Sequence, residues 1–126
     1  MKQTIIMIIC VIILIGGGIA EIKYLDKTSV FLSSDMDYIK NAIENDNYEL
    51  ANKQMEKSFK TWTDTKKVWN VFIIHEEVDD IEEALIELKE YLKFENKEEC
   101  IVALEKVKKD LEHSVKRQEI SIDNIL

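Results

Sequence analysis

From residue 21 to residue 126 the chain contains neither proline nor glycine. Proline is absent altogether, and the three glycines are consecutive at positions 16, 17 and 18. These two residue types are the strongest interrupters of a helix, so their absence leaves no built-in reason for the backbone to leave helical geometry. Turns must be made by Asn, Asp and Ser, which tolerate left-handed backbone and cap helices. No period-two alternation of apolar residues runs longer than a few positions. The expected fold is therefore all-α: an N-terminal transmembrane helix followed by a small antiparallel bundle of about four helices. At 126 residues the chain holds one domain at most.

The stretch TIIMIICVIILIGGGIA, residues 4–20, carries no charge. Its length is at the short end of what crosses a hydrocarbon core of about 30 Å. It is apolar on every face, which argues against an amphipathic helix of a soluble core. Two readings remain. Lys2 and the small residues Gly18 and Ala20 before Glu21 fit a cleavable signal peptide; retention fits a signal anchor, the reading adopted. Cys10 follows Ile8 and Ile9 instead of small residues, against a lipoprotein. The expected organisation is an anchor over 1–23 and a helical domain over 24–126. Lys2 and the α-amine oppose Lys23 and Lys27 across the span, so flanking charge does not settle orientation. The very short head favours an inside amino terminus and an exported domain.

The formal charge is −8, and Lys2 is the only basic side chain before residue 21. The domain is thus more acidic still and repels phosphate backbones, which excludes nucleic acid as an expected partner. The charge is concentrated: residues 75–99 hold 11 acids and three lysines. Sixteen lysines against one arginine, with 19 isoleucines, point to an AT-rich bacterial coding sequence. Cys10 and Cys100 lie in unlike settings and form no expected disulfide, and no Cys/His spacing suggests zinc.

Ser33 and Ser34 resemble N-cap residues opening a helix through Met36, Ile39 and Ile43. Asn45–Asp46–Asn47 is an expected turn. Beyond it Tyr48, Met55, Trp62 and Trp69 recur at sevens, with Ala51, Phe59 and Ile73 beside them, in a stripe about 80° wide. Such a stripe is a packing seam, which makes Trp62 and Trp69 structural core. A turn is expected at Phe94–Asn96, where Asn96 and Glu99 have capping-box spacing. The last helix runs through Cys100, Leu104, Val107, Leu111 and Val115, and the apolar tail ISIDNIL is expected to pack back on the bundle. Segments 48–94 and 97–126 share no register beyond amphipathicity, so no internal repeat is expected.

Between the two tryptophans and the acidic helix lies HEEVDDIEE. Here the stripe changes phase: Ile81, Leu85, Leu88 and Leu92 lie about 110° round from the tryptophans. A break near His75–Val78 is expected, with Asp79 or Asp80 capping a new helix. On a straight helix His75, Asp79 and Glu82 would project within about 40° of one another, a candidate facial set of metal ligands. That set faces water, has no second histidine nearby and has no ExxH motif before it. A solvated face with a histidine at a helix junction, free to hydrogen-bond across it, is the preferred reading. No catalytic residue and no cofactor is expected.

The segments W…VW…HEEVDDIEEAL and EISIDNIL resemble a family of short proteins of spore-forming Gram-positive bacteria, a domain of unknown function with an N-terminal span and a helical body. Trp69, His75, Glu76 and Asp79, with Asn124, Ile125 and Leu126 at the end, carry the resemblance. It implies a membrane anchor, an integral membrane protein as partner, and a junction role for His75; it implies no catalytic residue. Three functions compete: an anchored helical interaction module, a metal-dependent hydrolase or metal-storage bundle using His75 and its carboxylates, and a ligand-sensing domain with a pocket between helices near Trp62. The first is the expected one.

Overall fold

A computed structural model describes residues 1–125. They form four helices: α1 (Lys2–Glu44), α2 (Tyr48–Phe72), α3 (His75–Lys93) and α4 (Lys97–Ile125). Leu126, the last residue of the expected packed tail, lies outside the described residues. Consecutive helices are antiparallel neighbours and α4 returns against α1, so each helix touches two others around a four-sided core.

α1 is the long element. Its apolar first half holds an 18-residue window long and apolar enough to cross a membrane, none of it buried within the fold. The second half enters the bundle and buries Leu25, Ser29, Leu32, Met36, Ile39 and Ile43 at spacings of three and four. The expected N-cap at Ser33–Ser34 is therefore wrong: both serines lie inside α1. Nothing between Gly18 and Asn45 interrupts a helix, and continuing helically keeps every backbone donor and acceptor in this interval bonded. The glycine triplet is helical for the same reason.

Two distal connections are built alike. Asp46 and Glu95 adopt left-handed backbone at φ 57° and 54°. In the first, Asn47 N donates to Ala42 O at 2.8 Å and Asp46 N to Ile43 O at 2.9 Å; in the second, Asn96 N donates to Tyr91 O and Glu95 N to Leu92 O, both at 3.2 Å. This is the Schellman arrangement, which satisfies the last carbonyls of a helix. Each turn then starts the next helix with an asparagine: Asn47 Oδ1 accepts from Leu50 N at 3.2 Å, and Asn96 Oδ1 from Glu99 N at 3.3 Å.

The likeness extends along both hairpins and corrects the expectation of no repeat. At one constant spacing Leu32 corresponds to Ile81, Met36 to Leu85, Ile39 to Leu88 and Ile43 to Leu92. Past the turn Ala51 matches Cys100, Met55 matches Leu104, Ser58 the buried Val107, Trp62 Leu111 and Thr65 Ser114. Every residue in these pairs is buried. The repeating unit is the α1–α2 hairpin against the α3–α4 hairpin, out of phase with a unit beginning at Tyr48. Sequence identity between the units is slight because only the burial pattern and the turn chemistry repeat.

Trp62 and Trp69 are the largest side chains of the core, both fully buried. Their rings meet edge to face, with centroids 5.8 Å apart at 68°, the geometry that aligns ring edge with ring face. Trp69 Nε1 donates to Thr28 Oγ1 at 2.9 Å, and that hydroxyl donates to Tyr24 O at 2.9 Å. Trp62 Nε1 is the buried side-chain donor left without a partner among the described residues.

Truncating either tryptophan to alanine is expected to cost about 3–5 kcal/mol in denaturant unfolding, through lost transfer energy and the cavity left behind. Trp69→Phe keeps most of the packing and loses the bond to Thr28, so it is expected to cost about 1 kcal/mol on that account. A parent-like midpoint for Trp62→Ala would show that the seam is not the core.

Candidate functional site

The α2–α3 connection contains the segment singled out in the sequence. The helix does break, two residues earlier than expected: Ile73 ends α2 in extended backbone, and Ile74 occupies the N-cap position of α3. Asp79 and Asp80 do not cap the new helix, because Ile74 already supplies its first acceptor, taking Glu77 N at 2.9 Å and Val78 N at 3.3 Å. No side chain caps α3; Glu76 and Glu77 sit in its first turn, where carboxylates oppose the positive helix end. The break explains the phase change, since Ile81, Leu85, Leu88 and Leu92 point inward from a helix with a new direction.

His75 opens α3 at the surface, its side chain 78% exposed. Nδ1 lies 3.3 Å from Asn70 Oδ1 across the junction, and Nε2 lies 3.5 Å from Asp79 Oδ2. The histidine thus bridges the junction without turning inward. Glu82, the third member of the candidate set, is drawn away: its carboxylate accepts from Lys66 Nζ of α2 at 2.7 Å, half-buried. The structure brings His75 and Asp79 together and uses Glu82 to tie α3 to α2. Among the described residues, no three His, Cys, Asp or Glu side chains form a cluster that could hold a metal. Cys100 is buried in the core, and burial pushes its thiol up to about 11, so at neutral pH it is a neutral apolar side chain and no thiolate ligand.

Two grooves flank α1 above the apolar half. Between α1 and α2 a trough of about 560 Å³ is lined by Tyr24, Lys27, Val30, Phe31, Thr61 and Thr65. Val30 and Phe31 stand 60% and 55% exposed. Between α1 and α4 a second trough of about 510 Å³ is more polar, with Asp26, Ser29, Ser33, Glu112, Lys116 and Glu119 among its walls. The apolar trough was missed in the sequence because the first bundle helix was expected to open at Ser33–Ser34, which left residues 24–32 with no helical face assigned. The signal was present: Leu25, Ser29, Leu32 and Met36 already set a helical stripe, which leaves Val30 and Phe31 off its face.

One polar contact ties this region to the core. Ser58, fully buried on α2, donates to Asp35 Oδ2 at 2.9 Å and accepts from Gln54 Nε2 at 3.3 Å. Burial raises the Asp35 carboxyl above its ordinary value, partly offset by the Ser58 bond.

These features define an all-α bundle whose first helix is long and apolar enough to cross a membrane. The chain belongs to the family described as a domain of unknown function (DUF4363), which matches residues 19–125 and so spans all four bundle helices. No curated protein and no solved structure matches the chain.

Because the Asp35 carboxyl is raised in the folded state, the unfolded chain releases that proton first, and ionisation favours unfolding as pH rises. Asp35→Asn can still accept from Ser58. It is expected to melt above the parent at pH 7, with the difference vanishing below about pH 4, where both states are protonated. A gain of the same size at all pH values would remove Asp35 ionisation as the cause.

At the junction, His75→Ala is expected to change stability by no more than about 0.5 kcal/mol, given the exposure of the ring. Added zinc should shift the melting temperatures of parent, His75→Ala and Glu87→Ala alike. A zinc-dependent rise abolished by His75→Ala alone would restore the metal reading.

Proposed function

We propose that this protein is a single-pass membrane protein of the bacterial envelope whose helical domain stands on the outer side and binds another integral membrane protein. The host class follows the resemblance to proteins of spore-forming Gram-positive bacteria. The observation that carries the reading is the continuity of α1, which runs unbroken from its apolar half into the core of the bundle. A helical stem of this kind holds the domain at a fixed height and rotation, which a free-floating linker would not do.

On that stem Val30 and Phe31 form an apolar face, bordered by the α1–α2 trough. Phe31 lies about 16 Å beyond Ala20 at the helical rise of 1.5 Å per residue. A partner crossing the same membrane would bring its own extramembrane helix or loop to this height. Exposed apolar side chains at a groove are the usual anchors of a helix-in-groove contact. The fully buried seam of Trp62 and Trp69 leaves no ring presented to a ligand, which favours protein association over small-molecule sensing.

Two measurements in intact cells test this. A membrane-impermeant maleimide is expected to label Phe94→Cys at the distal turn from outside; labelling only after lysis would invert the orientation. A photoreactive residue at Phe31 is expected to form an adduct with an integral membrane protein, while one at the exposed Glu87 of α3 should not. Equal adducts at both positions would remove the α1 face as the docking surface.

A further inference from the structure

We propose that the base of the bundle, the α2–α3 junction and the end of α4, is seated in the lipid interface, so that the domain is anchored by an apolar collar as well as by its span. This deepens the membrane-anchored reading above and rests on it.

The first observation is one of depth. Ile13, Leu14 and Gly17 of the apolar run line the same groove of about 460 Å³ as Phe72 at the end of α2 and Ile122 near the end of α4. Gly18 and Ile122 are in direct register, for a methyl built on Gly18 would lie 3.8 Å from Ile122. The uncharged run ends at Ala20, six residues beyond Leu14, or about 9 Å along the helix. The base of the bundle therefore does not stop at the end of the run; it reaches down beside it. If residues 4–20 lie in the bilayer, Phe72 and Ile122 lie at the level of its outer edge.

The second observation is chemical. Large apolar side chains stand open at this end, among polar ones: Val71 is 73% exposed, Ile74 59%, Ile120 53% and Phe72 39%. They come from α2, the junction and α4, the elements that end at this base; Phe72 borders the apolar run directly, and Ile74 lines the next groove with Ser114, Arg117 and Ser121. The first hairpin shows what is unusual here, because Leu25, which corresponds to Ile74 in the repeat, is fully buried. Two of the carboxylates at the same level are matched, while Lys23, Glu119 and Asp123 stand at the surface, where headgroups and water reach them. Glu77, 16% exposed, pairs with Arg117, and Gln118 donates to the Glu21 carboxylate. Pairing of this kind lowers the cost of moving charges towards a medium of lower dielectric.

The third observation is length. Seventeen residues give about 25 Å of helix, short of a hydrocarbon core of about 30 Å. A shorter span is accommodated by thinning the bilayer or by other apolar surface entering it. The collar supplies that surface, at the depth of about 5–10 Å reached by interfacial apolar groups. Lipid is the occupant that explains all three observations, because the exposed patch is continuous with the exposed surface of the span itself.

The test uses the full chain in phosphatidylcholine vesicles. In a Cys10→Ser background, with Cys100 protected by burial, single cysteines at Ile74, Val71, Ile9 and Phe94 are labelled with an environment-sensitive fluorophore. Circular dichroism checks that each variant is folded. The labels at Ile74 and Val71 are expected to emit to the blue of the label at Phe94. They should also be quenched several-fold more by a lipid nitroxide placed shallow in the acyl chain, and the label at Ile9 by a deeper nitroxide. If Ile9 is quenched by lipid while Ile74 and Val71 are quenched by aqueous iodide like Phe94, the anchor stands and the collar is wrong. If Ile9 is also open to iodide, the anchor and the collar both fall. Shielding of Ile74 from lipid and iodide alike, with cross-linking between two Ile74→Cys chains, would make the occupant a second copy and overturn the proposal.

Discussion

The backbone of α1 cannot change direction between its apolar half and the bundle without leaving hydrogen-bonding groups unmatched. No residue in that interval relieves the constraint. Glycine ends at position 18, and Tyr24 to Glu44 present side chains that all tolerate helix. The consequence is a fixed relation between the apolar surface of residues 2–20 and the buried stripe that begins at Leu25. Everything else in the molecule is arranged around this rod. α2 and α4 pack on its two sides, and α3 closes the ring opposite.

The repeated hairpin shows how little information such a bundle needs. Two turns share a left-handed residue and an asparagine cap, and two runs of buried positions share a spacing. The side chains that fill those positions differ freely, as cores tolerate when volume is conserved overall. Where one unit places Trp62 the other places Leu111, and where one places Ala51 the other places Cys100. Large and small residues thus trade across the core. The cross-helix ion pairs Lys40–Glu105, Lys108–Asp37 and Lys66–Glu82 lie at the surface of these seams. Such pairs add little stability individually, Lys66–Glu82 being the least exposed of the three.

The acidic segment that dominates the sequence has a plainer structural role than its composition suggests. Carboxylates in the first turn of α3 oppose the helix dipole, and Glu82 and Glu77 reach across to α2 and α4. His75 spans the break between helices with its ring at the surface of the fold. Ligand spacing on a helical wheel was legible; the destination of each carboxylate was not. Lys66 competes for Glu82 from a helix whose packing only the folded chain defines. The turns at 45–47 and 94–96 were readable from Asn and Asp alone, because local backbone chemistry decides them. The break after Phe72 was misplaced by two residues for the opposite reason. Ile73 and Ile74 carry no turn signal, and the chain bends there because Ile73 is pulled into the core.

What the sequence determined by itself is helical content, the uncharged apolar run, the buried seams and the turns at 45–47 and 94–96, since each depends on side-chain periodicity or on residues that act within one turn of themselves. What only the tertiary structure decided is which elements share a surface. That the apolar run and the first bundle helix are one rod, that the repeat begins in α1, and that Phe72 and Ile122 gather beside the apolar run all depend on contacts between distant segments. Their energies come from burial against partners far along the chain, and no window of sequence short enough to show a period contains both sides of such a contact.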